Sequence, residues 1–74
     1  MIQDNQRIFL INHIVDEMTG FLMSDFNLEL ASSLKKIYES DLYEKLQDEK
    51  LDLYIQSPSY VYELLKAEIG ELKS

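Results

Sequence analysis

His13 is the one imidazole in the chain, and Asp16 and Glu17 follow it three and four residues later. On a helix that spacing sets an acid beside the ring, the arrangement that orients a general base. The rest of a nucleophilic site is missing. There is no Cys, and no Ser sits in a glycine-rich elbow. A solvated histidine on a helix flank is the plainer reading. Paired carboxylates also recur, as Asp16-Glu17, Asp48-Glu49 and Glu63 with Glu68. Acid–base work needs such a pair inside a water-excluding cleft that shifts their pKa values. A chain of 74 residues has little material for a cleft once its core is made. Residues Asp48 to Asp52 resemble a calcium loop superficially, but lack its alternating oxygen ligands, its glycine and its terminal Glu. The two glycines, Gly20 and Gly70, cannot build a phosphate loop. No catalytic, cofactor-binding or metal-ligating residue is assigned, and no cofactor is expected.

Charge narrows the partners. Seven basic residues face 14 acidic ones, a formal net charge of −7. Nucleic-acid binders neutralise phosphates with a basic patch, and the only adjacent basic pair is Lys35-Lys36. Direct nucleic-acid binding is not expected, and an anionic membrane surface is equally ill matched. A helix-turn-helix reading is disfavoured by the same sign, because residues 41–47 carry two acids, Asp41 and Glu44, against one Lys and one Gln where a recognition helix needs several of Arg, Lys, Asn or Gln. An acidic DNA mimic has the opposite logic, but the acids are spread along the chain with lysines among them. With 46% hydrophobic residues and one Pro the chain is not disordered. The longest apolar run, Ile8 to Ile11, is far short of a membrane span. No leader is visible at Met1-Ile2-Gln3-Asp4, so a cytoplasmic place is expected.

The hydrophobic spacing predicts an all-α fold, a single small domain over residues 1–74. It is read as a compact bundle of about four helices, the first and last longest, with a short extended segment before the last. The first helix runs from about Asn5 to Met23 with Asp4 as N-cap. Ile8, Ile11, Val15, Met18 and Leu22 make its stripe, widened by Phe9, Ile14 and Phe21. Gly20 either ends it early or lets another backbone approach. Ser24-Asp25 is the next punctuation. A second helix covers Glu29 to Glu39, with Leu30, Ala31, Leu34, Ile37 and Tyr38 on its apolar face. Ser40-Asp41 caps a short third helix ending near Gln47 or Asp48. Leu53-Tyr54-Ile55 alternates weakly and is expected to lie extended. Ser57-Pro58 then starts the last helix, with Tyr60, Val61, Leu64, Leu65, Ile69 and Leu72 as its stripe.

All five tyrosines fall in the second half of the chain. Tyr60 and Tyr62 stand about 200° apart on a helix, so both cannot face one core. Tyr54 in its loop is a second candidate for exposure, and Phe9 lies off the main stripe of the first helix. Large, stiff, polar-tipped side chains of this kind are enriched at interfaces. The candidate interface is therefore Phe9, Tyr54, Tyr60 and Tyr62. The expected state is a homodimer or a complex with a protein partner. On that reading Tyr54→Ala with Tyr62→Ala weakens a complex and leaves helicity intact.

The stretch Ser32 to Ser40, then Leu42-Tyr43-Glu44-Lys45-Leu46, then Leu53 to Leu65 carries a Y-x-S…L-Y-x-x-S-P-x-Y-x-Y-E pattern. It resembles a group of short bacterial all-helical proteins of undefined function, over about residues 28–66. Tyr54, Ser57, Pro58, Tyr60 and Tyr62 match the motif, while Asp52 replaces the group's glycine and leaves that turn's geometry open. Such proteins sometimes lie next to a toxin, so the resemblance implies an antitoxin-like or accessory subunit. Residues and resemblance together predict a non-catalytic protein–protein interaction module. The alternative is an acidic nucleic-acid-related regulator, a DNA mimic or part of a DNA-binding complex.

Overall fold

The computed structural model describes the backbone of residues 4–73 and the side chains of residues 5–70. The elements are α1 (Asp4–Phe26), α2 (Leu30–Tyr38), α3 (Asp41–Leu46), a 3-10 turn (Leu53–Ile55) and α4 (Pro58–Lys73). The fold is all-α, with no strand among the described residues, and its first and last helices are the longest. At 1.5 Å per residue α1 spans roughly 34 Å, close to the 38 Å long axis of the molecule. It is the spine against which α2, α4 and the 3-10 turn pack.

Ile11, Ile14, Val15, Met18 and Leu22 of α1 are buried against Ile37 of α2, Leu42 and Leu46 of α3, Tyr54, and Val61, Tyr62 and Leu65 of α4. The α1 stripe matches its spacing except at Ile8 and, among the residues that widen it, Phe9, both of which are exposed. The helix also outruns its expected end by three residues. Ser24 and Asp25 do not stop it. The stop is Asn27, whose positive φ of 54° is the left-handed conformation that closes a helix. Gly20 sits inside α1, and a Cβ there would meet nothing within 4 Å, so it neither ends the helix nor admits another backbone of this chain. The cap expected at Asp4 and the stripe position Leu72 lie outside the described side chains.

Helix α2 has its expected bounds within a residue, and Ile37 and Leu34 of its expected apolar face are buried or packed on the core, but the rest of that face is not. Ser33 and Ile37 are buried, whereas Leu30, Ala31 and Tyr38 are exposed. Tyr38 instead stacks edge-on against Tyr43 across the α2–α3 corner, with ring centroids 5.0 Å apart. The Ser33 hydroxyl is wholly buried and has no hydrogen-bond partner. An unsatisfied buried hydroxyl costs roughly 1–3 kcal/mol, and Ala is the better helix former. Ser33→Ala is therefore expected to stabilise the fold by about 1 kcal/mol, read as a rise in melting temperature of about 4–8 °C.

Two starts follow the local rules closely. Ser40 Oγ accepts from the Tyr43 amide at 3.1 Å and donates to the Ile37 carbonyl at 2.6 Å, joining the end of α2 to the start of α3. Ser57 Oγ accepts from the Tyr60 amide at 3.2 Å, with Pro58 at the first position of α4. The segment expected to be extended is not. Leu53, Tyr54 and Ile55 form a 3-10 turn, entered through Asp52 at φ 54° and ψ 26°. Tyr54 at the centre of the turn is buried in the core, while Ile55 is exposed. Asp52 stands in the conformation glycine adopts at no steric cost. Asp52→Gly should gain about 0.5–1 kcal/mol, the relief of the strain less the entropy glycine adds to the unfolded chain. Asp52→Val should lose stability, and paired urea titrations distinguish the two.

Candidate functional site

His13, Asp16 and Glu17 are all exposed on α1, and no hydrogen bond or ion pair joins the histidine to either acid. The other carboxylates have structural work. Asp48 Oδ1 accepts from the Lys50 amide at 2.9 Å, closing an Asx turn in the loop that superficially looked like a calcium site. Glu63 pairs with Lys66 at 3.0 Å on α4. Glu49 receives Arg7 at 2.8 Å, tying the loop after α3 to the first turns of α1. No group of three metal-ligating side chains occurs among the described residues.

Glu68 has the most consequential contacts. Its carboxylate accepts from the Asp41 amide at 2.9 Å with one oxygen and from the Leu42 amide at 3.0 Å with the other. With Ser40 on the Tyr43 amide, the first three N–H groups of α3 are all satisfied, two of them by a side chain 26 and 27 residues away. Negative charge also suits the positive end of the helix dipole.

The four candidate interface residues separate into two pairs. Tyr54 and Tyr62 are buried, 8% and 5% exposed, and belong to the core. Phe9 and Tyr60 are outside, at 69% and 51%. The 200° between Tyr60 and Tyr62 is thus resolved with Tyr62 inward. Its ring packs on Phe21 at 4.9 Å, Lys66 Nζ lies 5.1 Å from its centre, and its hydroxyl donates to Asp25 at 2.7 Å. Burial, then the bond to the Asp25 carboxylate, then the charges of Asp25 and Glu63 push the phenol well above its ordinary pKa.

Phe9 borders an open groove of about 610 Å³ with Asn5, Gln6 and Leu10 at the start of α1. A second concavity of about 270 Å³ lies between α3 and α4, lined by Leu42, Leu53, Leu64 and Ala67 with Asp41, Lys45 and Glu68 at its rim. Leu64 was expected in the core stripe of α4 but lies at the surface with Tyr60, one turn away on the same face. A signal for this was present. Tyr60 and Leu64 form one i, i+4 row and Val61 and Leu65 another, about 100° round, too wide a band for one small core. No helix among the described residues is long and apolar enough to cross a membrane. No protein-family model, curated protein or solved structure matches the chain, so function is argued from its own residues.

Proposed function

We propose that this chain is a non-catalytic protein–protein interaction module, working in the cytoplasm as a homodimer or as the smaller subunit of a complex. One observation carries the reading. Large apolar side chains occupy outward positions on two helices, Phe9 and Ile8 on α1 and Tyr60 and Leu64 on α4, and each helix has an open groove beside them. Isolated exposed apolar residues are ordinary on any protein, but grouped ones mark contact surfaces. The resemblance to short bacterial helical proteins adds an antitoxin-like or accessory role.

The test is a tagged capture at physiological salt, with light scattering on the purified chain. The module reading expects either a stoichiometric protein partner or twice the monomer mass, and expects Phe9→Ser with Tyr60→Ser to reduce that association without changing the circular dichroism spectrum. A monomer that captures nothing overturns it. A DNA duplex shifted by the chain from about 50 mM salt upward would transfer the assignment to the acidic regulator.

A further inference from the structure

The outward side of α1 carries one continuous row. Phe9, His13, Asp16 and Gly20 stand at i, i+4, i+7 and i+11, within about 60° of one another around the helix, and all four are exposed. Phe9 is the most exposed large apolar residue described, at 69%. Gly20 is a gap in the same row. A Cβ there would meet nothing within 4 Å, so no contact inside this chain requires a residue that weakens a helix interior. His13, Asp16 and Glu17 have no hydrogen bond or ion pair among the described residues.

This row complements itself when turned end for end. A twofold axis crossing α1 midway between residues 9 and 20 sets Phe9 of each copy opposite the partner's Gly20, a large ring against a place with no side chain. It sets His13 opposite the partner's Asp16, so acid and imidazole alternate around the axis, and Glu17 opposite the partner's Asn12, whose amide can donate to it. A parallel pair has the reverse effect. It stacks Phe9 on its own copy, leaves Gly20 facing Gly20 across a void, and sets Asp16 and Glu17 against their own copies, which like charge penalises. Charge also singles out this face for self-contact. The chain has a net charge of −7, yet between Asn5 and Ser24 the only acids are Asp16 and Glu17.

We infer that the outward face of α1 is a homodimer interface, formed antiparallel with Phe9 of each copy seated over the partner's Gly20. This rests on the interaction-module reading and commits it to a second copy of this chain.

Sedimentation equilibrium over a concentration series reads the association, and circular dichroism reads the fold. The chain should approach twice its monomer mass. Gly20→Leu puts a good helix former into space that is open within the chain, so helicity should be kept or raised. The same variant should raise the dimer dissociation constant about ten-fold or more. Phe9→Ser should weaken the dimer by a similar factor. Register is read by cross-linking, since the chain has no Cys of its own. An equimolar mixture of Phe9→Cys and Gly20→Cys, one of them tagged, should yield mainly the mixed disulfide on oxidation. Preferential linking of Phe9→Cys to itself overturns the antiparallel arrangement. A dimer unchanged by both Gly20→Leu and Phe9→Ser overturns this interface and leaves the module reading standing. A monomer that captures a different protein in stoichiometric amount has the same effect. A monomer that captures nothing overturns both.

Discussion

Tyr62→Ala is expected to cost about 3–4 kcal/mol, as truncation of a buried aromatic ring does. A domain of this length has roughly 4–11 kcal/mol in all, so the variant should be largely unfolded at moderate temperature. The ring fills the space between Phe21 and Lys66, and its hydroxyl reaches Asp25 near the end of α1. Removing it therefore loosens α4 from the far end of the spine. Adding Tyr54→Ala takes a second side chain out of the same core. The double variant should lose its helical signal rather than merely weaken a complex.

Tyr62→Phe separates the hydroxyl from the ring. At neutral pH it should cost about 1 kcal/mol, the ordinary worth of one hydrogen bond with a partner open to solvent. Above pH 10 the comparison changes. The folded state holds the Tyr62 proton more tightly than the unfolded chain, whose tyrosines titrate near 10. The contribution is therefore constant below about pH 10 and declines as pH rises beyond it, by up to about 1.4 kcal/mol per pH unit. The phenylalanine variant lacks this loss. Urea midpoints measured from pH 7 to 11 should show the two proteins converging on the alkaline side. A parallel decline would place the alkaline sensitivity in another group.

What could be read beforehand divides along the range of the interaction. Ser40 and Ser57-Pro58 were legible because a cap is made by residues three apart, so its chemistry is written in one short stretch. The stripe of α1 was legible because every member but Ile8 and Phe9, at its first turns, faces one core. The buried side of α2 was legible only at Leu34 and Ile37. Spacing says which residues share a face, but not which face a neighbour will cover, and Ser33 is buried beside Ile37 while Leu30 and Tyr38 stay exposed. The same limit applies to the tyrosines of α4, where about 200° of separation requires one to be outside without choosing it. Asp52 shows a different limit. Alternation over three residues cannot distinguish an extended segment from a 3-10 turn, and the deciding left-handed φ belongs to the residue before them. The two apolar faces of α4 were in the sequence as two i, i+4 rows, and merging them into one stripe hid the outward pair.

Glu68→Ala is expected to lower stability by about 2 kcal/mol, because it withdraws both acceptors from amides at the head of α3. Glu68→Gln keeps one carbonyl oxygen and should lose about half as much. Glu68→Asp, one methylene shorter, should behave like Ala. A six-residue helix has no stability of its own, so α3 exists only while its end is held and its apolar side packed. The loss should then be local. Amides of residues 41–46 should exchange with solvent much faster in Glu68→Ala, while those around Ile14 and Met18 keep their protection. Ser40→Ala should cost about 1 kcal/mol alone, and less when added to Glu68→Ala, since a frayed α3 leaves little for the second cap to hold. Unchanged exchange across α3 would show that packing of Leu42 and Leu46 suffices.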